Sequence, residues 1–129
     1  MKILYQYTIV RFLPFAETGE FANVGIVLCA PDAGVFAFQL IPTPSERVQQ
    51  FFPQLHNALL PNTIKLLTDE LNRIQQITEQ KTSPQLFATF QELIRPREQI
   101  IRYSGQRSVL SAAKPAELLE QLTDQLVQS

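Results

Sequence analysis

Residues 5–28, YQYTIVRFLPFAETGEFANVGIVL, constrain the fold of this chain more than any other part of it. Two runs rich in β-branched and aromatic residues flank a loop that contains Gly19, which is the pattern of two strands joined by a connection. Polar side chains surrounded by so much apolar chain must hydrogen-bond one another or serve a binding partner. The segment therefore predicts both the start of a sheet and a candidate site.

The first forty residues predict a three-stranded antiparallel meander. Strands are expected at residues 3–12, 23–30 and 35–41, and the turn sequence PDAG separates the last two. In the first strand, alternation places Arg11 on one face and Thr8 on the other. The second strand is apolar on both faces and is therefore expected at the centre of the sheet.

Helical patterns dominate after Pro42. The sequence TPSE at residues 43–46 has the form of a capping box with Thr43 as the N-cap, and it predicts a short helix. The longest helix is expected to begin at Pro61 or Asn62, because apolar residues there recur at three- and four-residue spacings. These residues are Ile64, Leu67, Leu71, Ile74 and Ile77. Two further helices are expected from the Ser-Pro and Lys-Pro pairs at 83–84 and 114–115.

A fourth strand is predicted at residues 99–104, ended by a turn at Gly105. The chain is therefore predicted to be α+β, with an antiparallel sheet of about four strands covered by three to five helices. The sheet would combine the N-terminal meander with this later strand. We expect a single domain over residues 1–129, made mainly of strands in 1–42 and mainly helical in 43–129.

Composition argues against several classes of protein. The net charge of −1 provides no overall field to attract nucleic acid or anionic lipid. The lone Cys29 cannot form an intramolecular disulfide, and one cysteine with one histidine, His56, gives no metal spacing. No apolar run reaches the ~18 residues of a membrane span. We expect a cytoplasmic protein with no metal, no cofactor and no membrane contact.

Arg11, Glu20 and Asn23 form the first candidate site. One interpretation is a polar cluster that faces a ligand or partner; the other is an internal Arg11–Glu20 ion pair with Asn23 capping the strand entry. Glu17 and Glu20 do not make a convincing catalytic pair, since no histidine or metal pattern accompanies them. No catalytic residue is therefore assigned.

A concentration of arginines with one tyrosine forms the second candidate site. It consists of Arg95, Arg97, Arg102 and Arg107 with Tyr103. Arginine beside an aromatic residue is typical of protein interfaces and also of nucleic-acid surfaces. Scattered solvated charges are the third interpretation, because Glu92 and Glu98 offset part of the charge.

The motif YxYxxxRFxP at residues 5–14, followed by GEFxNVGIVL at 19–28, resembles the bacterial family named domain of unknown function 3037. The sequences RPRE at 95–98 and IIR at 100–102, with the leucine-rich end, are similar to that family's C-terminal half. The resemblance implies a small accessory protein that acts on a protein partner, such as a HipA-like kinase. It implies no catalytic residues. The chain departs from the family pattern at 15–16, where Phe-Ala stands in place of an expected acidic residue.

The sequence predicts non-catalytic binding to another protein, for which the resemblance implies a HipA-like kinase, or to a second copy of the chain. The residues expected to bind are Arg11, Glu20, Asn23, Arg95, Arg97, Arg102 and Tyr103. Nucleic-acid binding through the C-terminal arginines is the alternative, and an enzyme centred on Glu20 and Arg11 is a third hypothesis. The two candidate sites meet only if the fourth strand lies at the edge of the meander, which would also offer an edge for self-pairing.

Overall fold

The computed structural model describes residues 1–127. The five strands are β1 (Ile3–Phe12), β2 (Ala22–Ala30), β3 (Val35–Leu40), β4 (Ile101–Tyr103) and β5 (Arg107–Ser111). The α-helices are α1 (Glu46–Phe51), α2 (Leu59–Thr78), α3 (Ser83–Leu93) and α4 (Pro115–Leu126), and a 3-10 turn at Pro31–Ala33 follows β2. None of the described helices has both the length and the apolar character that crossing a membrane requires.

The strands form one antiparallel sheet in the order β3-β2-β1-β4, and β5 also pairs with β1. The α+β prediction and its N-terminal meander are confirmed. The later strand lies at the edge of the sheet, directly beside β1. This placement is what brings the two halves of the sequence together.

The predicted fourth strand, β4, is the first half of a longer strand that is interrupted at residues 104–106. The second half of that strand, β5, was missed because a turn was predicted at Gly105. β4 pairs with the end of β1, from Val10 to Phe12, while β5 pairs with its beginning, from Ile3 to Tyr7. The three residues 104–106 therefore lie opposite only two residues of β1. One extra residue in one strand is a β-bulge, which bends the strand without ending it.

Ser104 holds this bulge against β1 through its backbone and its side chain. Its N–H donates to the Ile9 carbonyl at 2.9 Å, and its Oγ accepts from the Ile9 N–H at 2.8 Å. The Thr8 hydroxyl donates to the Ser104 carbonyl at 2.7 Å. Both side chains are buried, so these bonds give the backbone groups at the bulge partners in place of the regular ladder.

Helices cover both faces of the sheet. The face that carries Tyr5 and Ile9 packs against α4, and the Tyr5 hydroxyl donates to the Ala113 carbonyl at 2.8 Å. We call the face that carries Tyr5 and Ile9 the α4 face. The opposite face packs against α2 and α3, and Gln75 of α2 donates to the Phe36 carbonyl of β3 at 2.9 Å. Fully buried side chains on both sides form the core, including Val10, Phe12, Ile26, Val27, Leu28, Leu71 and Phe90.

Three details of the helices differ from the predictions. The N-cap of α1 is Ser45 rather than Thr43, because the Ser45 hydroxyl accepts from the Val48 N–H at 3.3 Å. α2 begins at Leu59, ahead of the predicted Pro61, which the first turn tolerates since its N–H would have no helical partner. Ile77 was expected in the apolar stripe but is 44% exposed, and Thr78 is buried in its place.

Candidate functional site

The register of the sheet places Arg11 of β1 between the two candidate sites. Arg11 lies opposite Asn23 on β2 and opposite Arg102 on β4. Residues directly opposite each other in an antiparallel pair project to the same face, with Cβ atoms ~5 Å apart. Arg11 and Asn23 of the first candidate site therefore share the α4 face with Arg102 of the second.

The bulge adds Arg107 to this group. Arg107 of β5 lies opposite Tyr7, which alternates onto the same face of β1 as Arg11. In a regular strand, residues five apart project to opposite faces, so Arg102 and Arg107 would be separated. Because residues 104–106 contain one extra residue, both arginines project to the α4 face.

We call this surface the arginine face and define it by Arg11, Arg102 and Arg107 with the aromatic residues Tyr7 and Phe21. The Arg11 guanidinium lies over the Phe21 ring, with its Cζ atom 4.4 Å from the ring centroid. Phe21 is itself 40% exposed. Such stacking orients a guanidinium while leaving its N–H edge free for a ligand.

The charges of the arginine face are not balanced by carboxylates. Within residues 1–127 no Asp or Glu lies within salt-bridge distance of Arg11, Arg102 or Arg107. Arg102 donates its Nε–H to the Gln99 carbonyl at 3.1 Å. The pKa of Arg11 is lowered first by burial and second by the positive charge of Arg107. Arg11 and Arg107 therefore repel each other across the sheet surface.

Two polar atoms at the inner end of the arginine face have no partner in the described part of the chain. They are the Arg11 Nε donor and the Asn23 Oδ1 acceptor, both buried. The other half of the Asn23 amide is used, since Nδ2 donates to the Leu126 carbonyl of α4 at 2.9 Å. Asn23 also accepts at its backbone carbonyl from Arg47 at 2.8 Å. Asn23 thus ties β2 to α1 and α4 and closes the inner side of the site.

Glu20 lies apart from Arg11. Its side chain is exposed in the loop between β1 and β2, and no ion pair described in residues 1–127 joins it to Arg11. The loop is held by Thr18, whose hydroxyl donates to the Phe15 carbonyl at 3.1 Å and accepts from the Glu20 N–H at 3.2 Å. The internal Arg11–Glu20 pair considered from the sequence is therefore not formed.

Arg95 and Arg97 lie between α3 and β4, where they line a small cavity of about 100 Å³ together with Arg102 and Tyr103. Arg95 and Arg97 both pair with Glu92, at 3.4 and 3.0 Å, so one carboxylate offsets much of their charge. Tyr103, opposite Val10, projects toward α2 and α3. There it lines a cleft of about 560 Å³ with Arg97, Gln99 and Glu70. Arg102 therefore belongs both to the arginine face and to the cavity that Arg95 and Arg97 line, whereas Arg107 does not line that cavity.

The environment of Tyr103 predicts a dependence of stability on alkaline pH. Burial, with a smaller contribution from Glu70 and opposed by Arg97, raises the pKa of Tyr103 to about 12. The fold favours the neutral phenol, so its contribution is complete below pH ~10 and is lost as pH rises toward 12. The free energy of unfolding of the wild type is expected to fall more than that of Tyr103→Phe, by ~2 kcal/mol at pH 12. Urea unfolding at pH 9 to 12 measures this, and parallel curves would contradict it.

Cys29 and His56 lie in different environments. Cys29 is fully buried in β2, and burial raises the pKa of its thiol to about 12. His56 is exposed, and its Nδ1 accepts from the Ala58 N–H at 3.2 Å. In the part of the chain that the structure describes, no group of three or more His, Cys, Asp or Glu is arranged to hold a metal ion.

The sequence pointed to Arg11 and Arg102 but not to the way they are combined. Tyr7 and Phe21 were not singled out as site residues, and Arg107 was noticed only as part of the basic concentration. A signal for Phe21 existed, because it lies two positions from Asn23 and so alternates onto the same face. Arg107 had no such signal, since its spacing from Arg102 points to the wrong face until the bulge is known.

A family model described as "Protein of unknown function (DUF3037)" matches residues 7–127. No curated protein and no solved structure matches the chain. The matched region contains every residue of the arginine face and the bulge that arranges them.

Proposed function

Because the chain belongs to the DUF3037 family, whose description names no function, we propose a function from the geometry of the chain itself. We infer that the chain is an accessory module that binds an acidic surface of a partner protein through the arginine face. The observation that carries this proposal is the cross-strand pair of Arg11 and Arg102, with Arg107 beside it and no carboxylate near them within residues 1–127. Like charges directly opposite each other in a sheet are destabilising. An anionic partner would remove that repulsion.

The chemistry of the arginine face fits a protein partner. Arginine and aromatic side chains are the residues in which interface binding energy concentrates. Phe21 and Tyr7 provide apolar area beside the guanidinium groups, and each guanidinium presents a planar fork that matches a carboxylate. A partner surface rich in Asp and Glu, with an apolar side chain to meet Phe21, would complement all of these groups.

Nucleic acid fits the same surface less well. The chain has a net charge of −1, so only the local arginines would attract phosphates. Arg95, Arg97 and Tyr103, which the sequence grouped with Arg102 as a nucleic-acid surface, line a small cavity with Arg102. Glu92 pairs with both Arg95 and Arg97 and neutralises much of their charge.

Neutralising the arginine face is expected to abolish partner binding. The tagged chain is used as bait in lysate of its own cells, with nuclease, and captured proteins are quantified by mass spectrometry. We expect a stoichiometric protein that is recovered at least tenfold less with Arg102→Gln/Arg107→Gln. The matched control is Lys65→Gln/Arg73→Gln, which removes the same charge from ion-paired side chains of α2. It should retain the partner.

Three outcomes would contradict the proposal. Equal loss of the partner in the variant and the control would show that only net charge matters. Unchanged capture by the arginine-face variant would place the interface elsewhere. Capture that disappears on nuclease treatment would favour the nucleic-acid alternative.

A further inference from the structure

The outer edge of β5 is open next to the arginine face. β5 pairs with β1 on one side, and no strand in residues 1–127 pairs with its other side. An open edge presents backbone N–H and C=O groups that are ready to accept another strand. Pro, Lys, other charged side chains and bulges commonly protect natural edges. The sequence of β5, RSVLS, contains neither Pro nor Lys, so the protection of this edge is limited to Arg107 and the bulge at residues 104–106.

The two faces of β5 differ in chemistry. On the α4 face, Arg107 continues the arginine face to the edge of the sheet. On the opposite face, Leu110 lies directly across from Leu4 of β1, and these leucines are 58% and 54% exposed. Because the two leucines are opposite each other on neighbouring strands and are both exposed, they form an apolar patch beside the open edge. The edge therefore offers cations on one face and an apolar surface on the other.

We propose that the partner contributes an extended segment that adds as a strand to β5, with acidic side chains on the α4 face and apolar side chains beside Leu110. This inference rests on the proposed function, since it specifies how the acidic partner binds the arginine face. Side chains of a strand alternate between faces, so the segment would alternate acidic and apolar residues. Backbone hydrogen bonds would provide affinity, and the alternating side chains would provide specificity.

Charge favours this occupant over a second copy of the chain. Antiparallel self-pairing of β5 would place a second Arg107 on a surface that already holds three uncompensated arginines. An acidic strand adds the opposite charge. A strand added to β5 would lie ~4.8 Å from it and would rise ~3.3 Å per residue. A segment of about eight residues would therefore extend past Arg107 as far as the position of Arg102.

Synthetic peptides test the pattern directly. The probe is an eight-residue peptide in which glutamate alternates with valine, titrated into the full chain by calorimetry. The reference peptide has the same composition with four glutamates followed by four valines. We expect the alternating peptide to bind at least tenfold more tightly. Equal affinity of the two peptides, or no binding of either at millimolar concentration, would overturn the inference.

Backbone methylation tests strand addition itself. In an antiparallel pair, only alternate amides of the added strand face the edge. We expect N-methylation of one alternate set of amides to weaken binding at least tenfold, and N-methylation of the other set to change it less than threefold. Equal effects of the two sets would exclude pairing along an edge.

Variants of the chain locate the site. Leu110→Ser is expected to weaken binding of the alternating peptide about fivefold. The matched control Leu66→Ser changes a leucine of α2 that is 70% exposed and should leave binding unchanged. If both variants bind like the wild type, the peptide does not lie on β5. If sedimentation shows a dimer that Leu110→Ser dissociates, the edge belongs to a second copy and the inference is wrong.

The peptide and capture experiments fail in distinguishable ways. If a protein is captured through the arginines but the peptides show no preference for alternation, the proposed function stands and strand addition falls. If no protein depends on the arginines, both fall together.

Discussion

Gly25→Ala is expected to lower the free energy of unfolding by ~3 kcal/mol and the melting temperature by ~10 °C. Alanine is normally the better residue in the interior of a strand, so propensity alone predicts the opposite sign. The reason is the close approach of β3. A Cβ atom on Gly25 would lie 2.5 Å from Leu40 Cδ2 and 2.7 Å from the Gln39 carbonyl oxygen.

The leucine methyl can rotate away, but the Gln39 carbonyl cannot move without moving β3. Gly25 pairs with Val10 on one side and with Leu40 on the other, at the centre of the sheet. Any relief therefore disturbs the register of the meander. Because the core on both faces depends on that register, the substitution acts on the whole fold.

Gly105→Ala is the matched control. A Cβ at Gly105 meets nothing within 4 Å, so the change should alter the free energy of unfolding by less than ~0.5 kcal/mol. Urea unfolding of both variants, followed by circular dichroism, measures the difference. A neutral result for Gly25→Ala would mean that β2 and β3 separate at little cost, and the close packing described here would not matter for stability.

Ser104→Ala is expected to lower the free energy of unfolding by ~2–3 kcal/mol. The change removes the acceptor of the Ile9 N–H and leaves that buried donor without a partner, which carries the full desolvation penalty. It also removes the 3.1 Å contact between the hydroxyls of Ser104 and Thr8.

Ser108→Ala is the control for this change. Ser108 lies in β5, is exposed, and donates its hydroxyl to Gln6 Oε1, so its loss should change the free energy of unfolding by less than ~0.5 kcal/mol. The double variant Thr8→Val/Ser104→Ala should be destabilised by less than the sum of the single changes, because the two hydroxyls share one network. Strict additivity would show that they act independently.

Local patterns in the sequence were enough to predict the N-terminal half of the fold. Alternation in residues 3–12 and the PDAG turn predicted the meander, since both depend on neighbours in sequence. The three- and four-residue spacing of Ile64, Leu67 and Leu71 predicted α2 for the same reason. The N-cap at Ser45 was missed because Thr and Ser are both favoured at that position, and only Thr43 is followed three residues later by a Glu.

The candidate site depended on long-range pairing and was predicted only in part. Arg11 and Arg102 are far apart in sequence, and their contact follows from which strand lies beside β1. The separation of Tyr103 from Arg102 follows from alternation once β4 is a strand. The inclusion of Arg107 follows from the bulge, which Ser104 and Thr8 stabilise through a contact that no local pattern contains.

The bulge also determines how this edge of the sheet would respond to a change in chain length. Removing Gly105 would leave two residues opposite Thr8 and Ile9, so the strand would continue without interruption. Arg102 and Arg107 would then be four positions apart and would still project to the face of Arg11. A one-residue deletion would thus leave the arginine face unchanged but give the sheet a longer regular edge, of the kind that pairs with other chains.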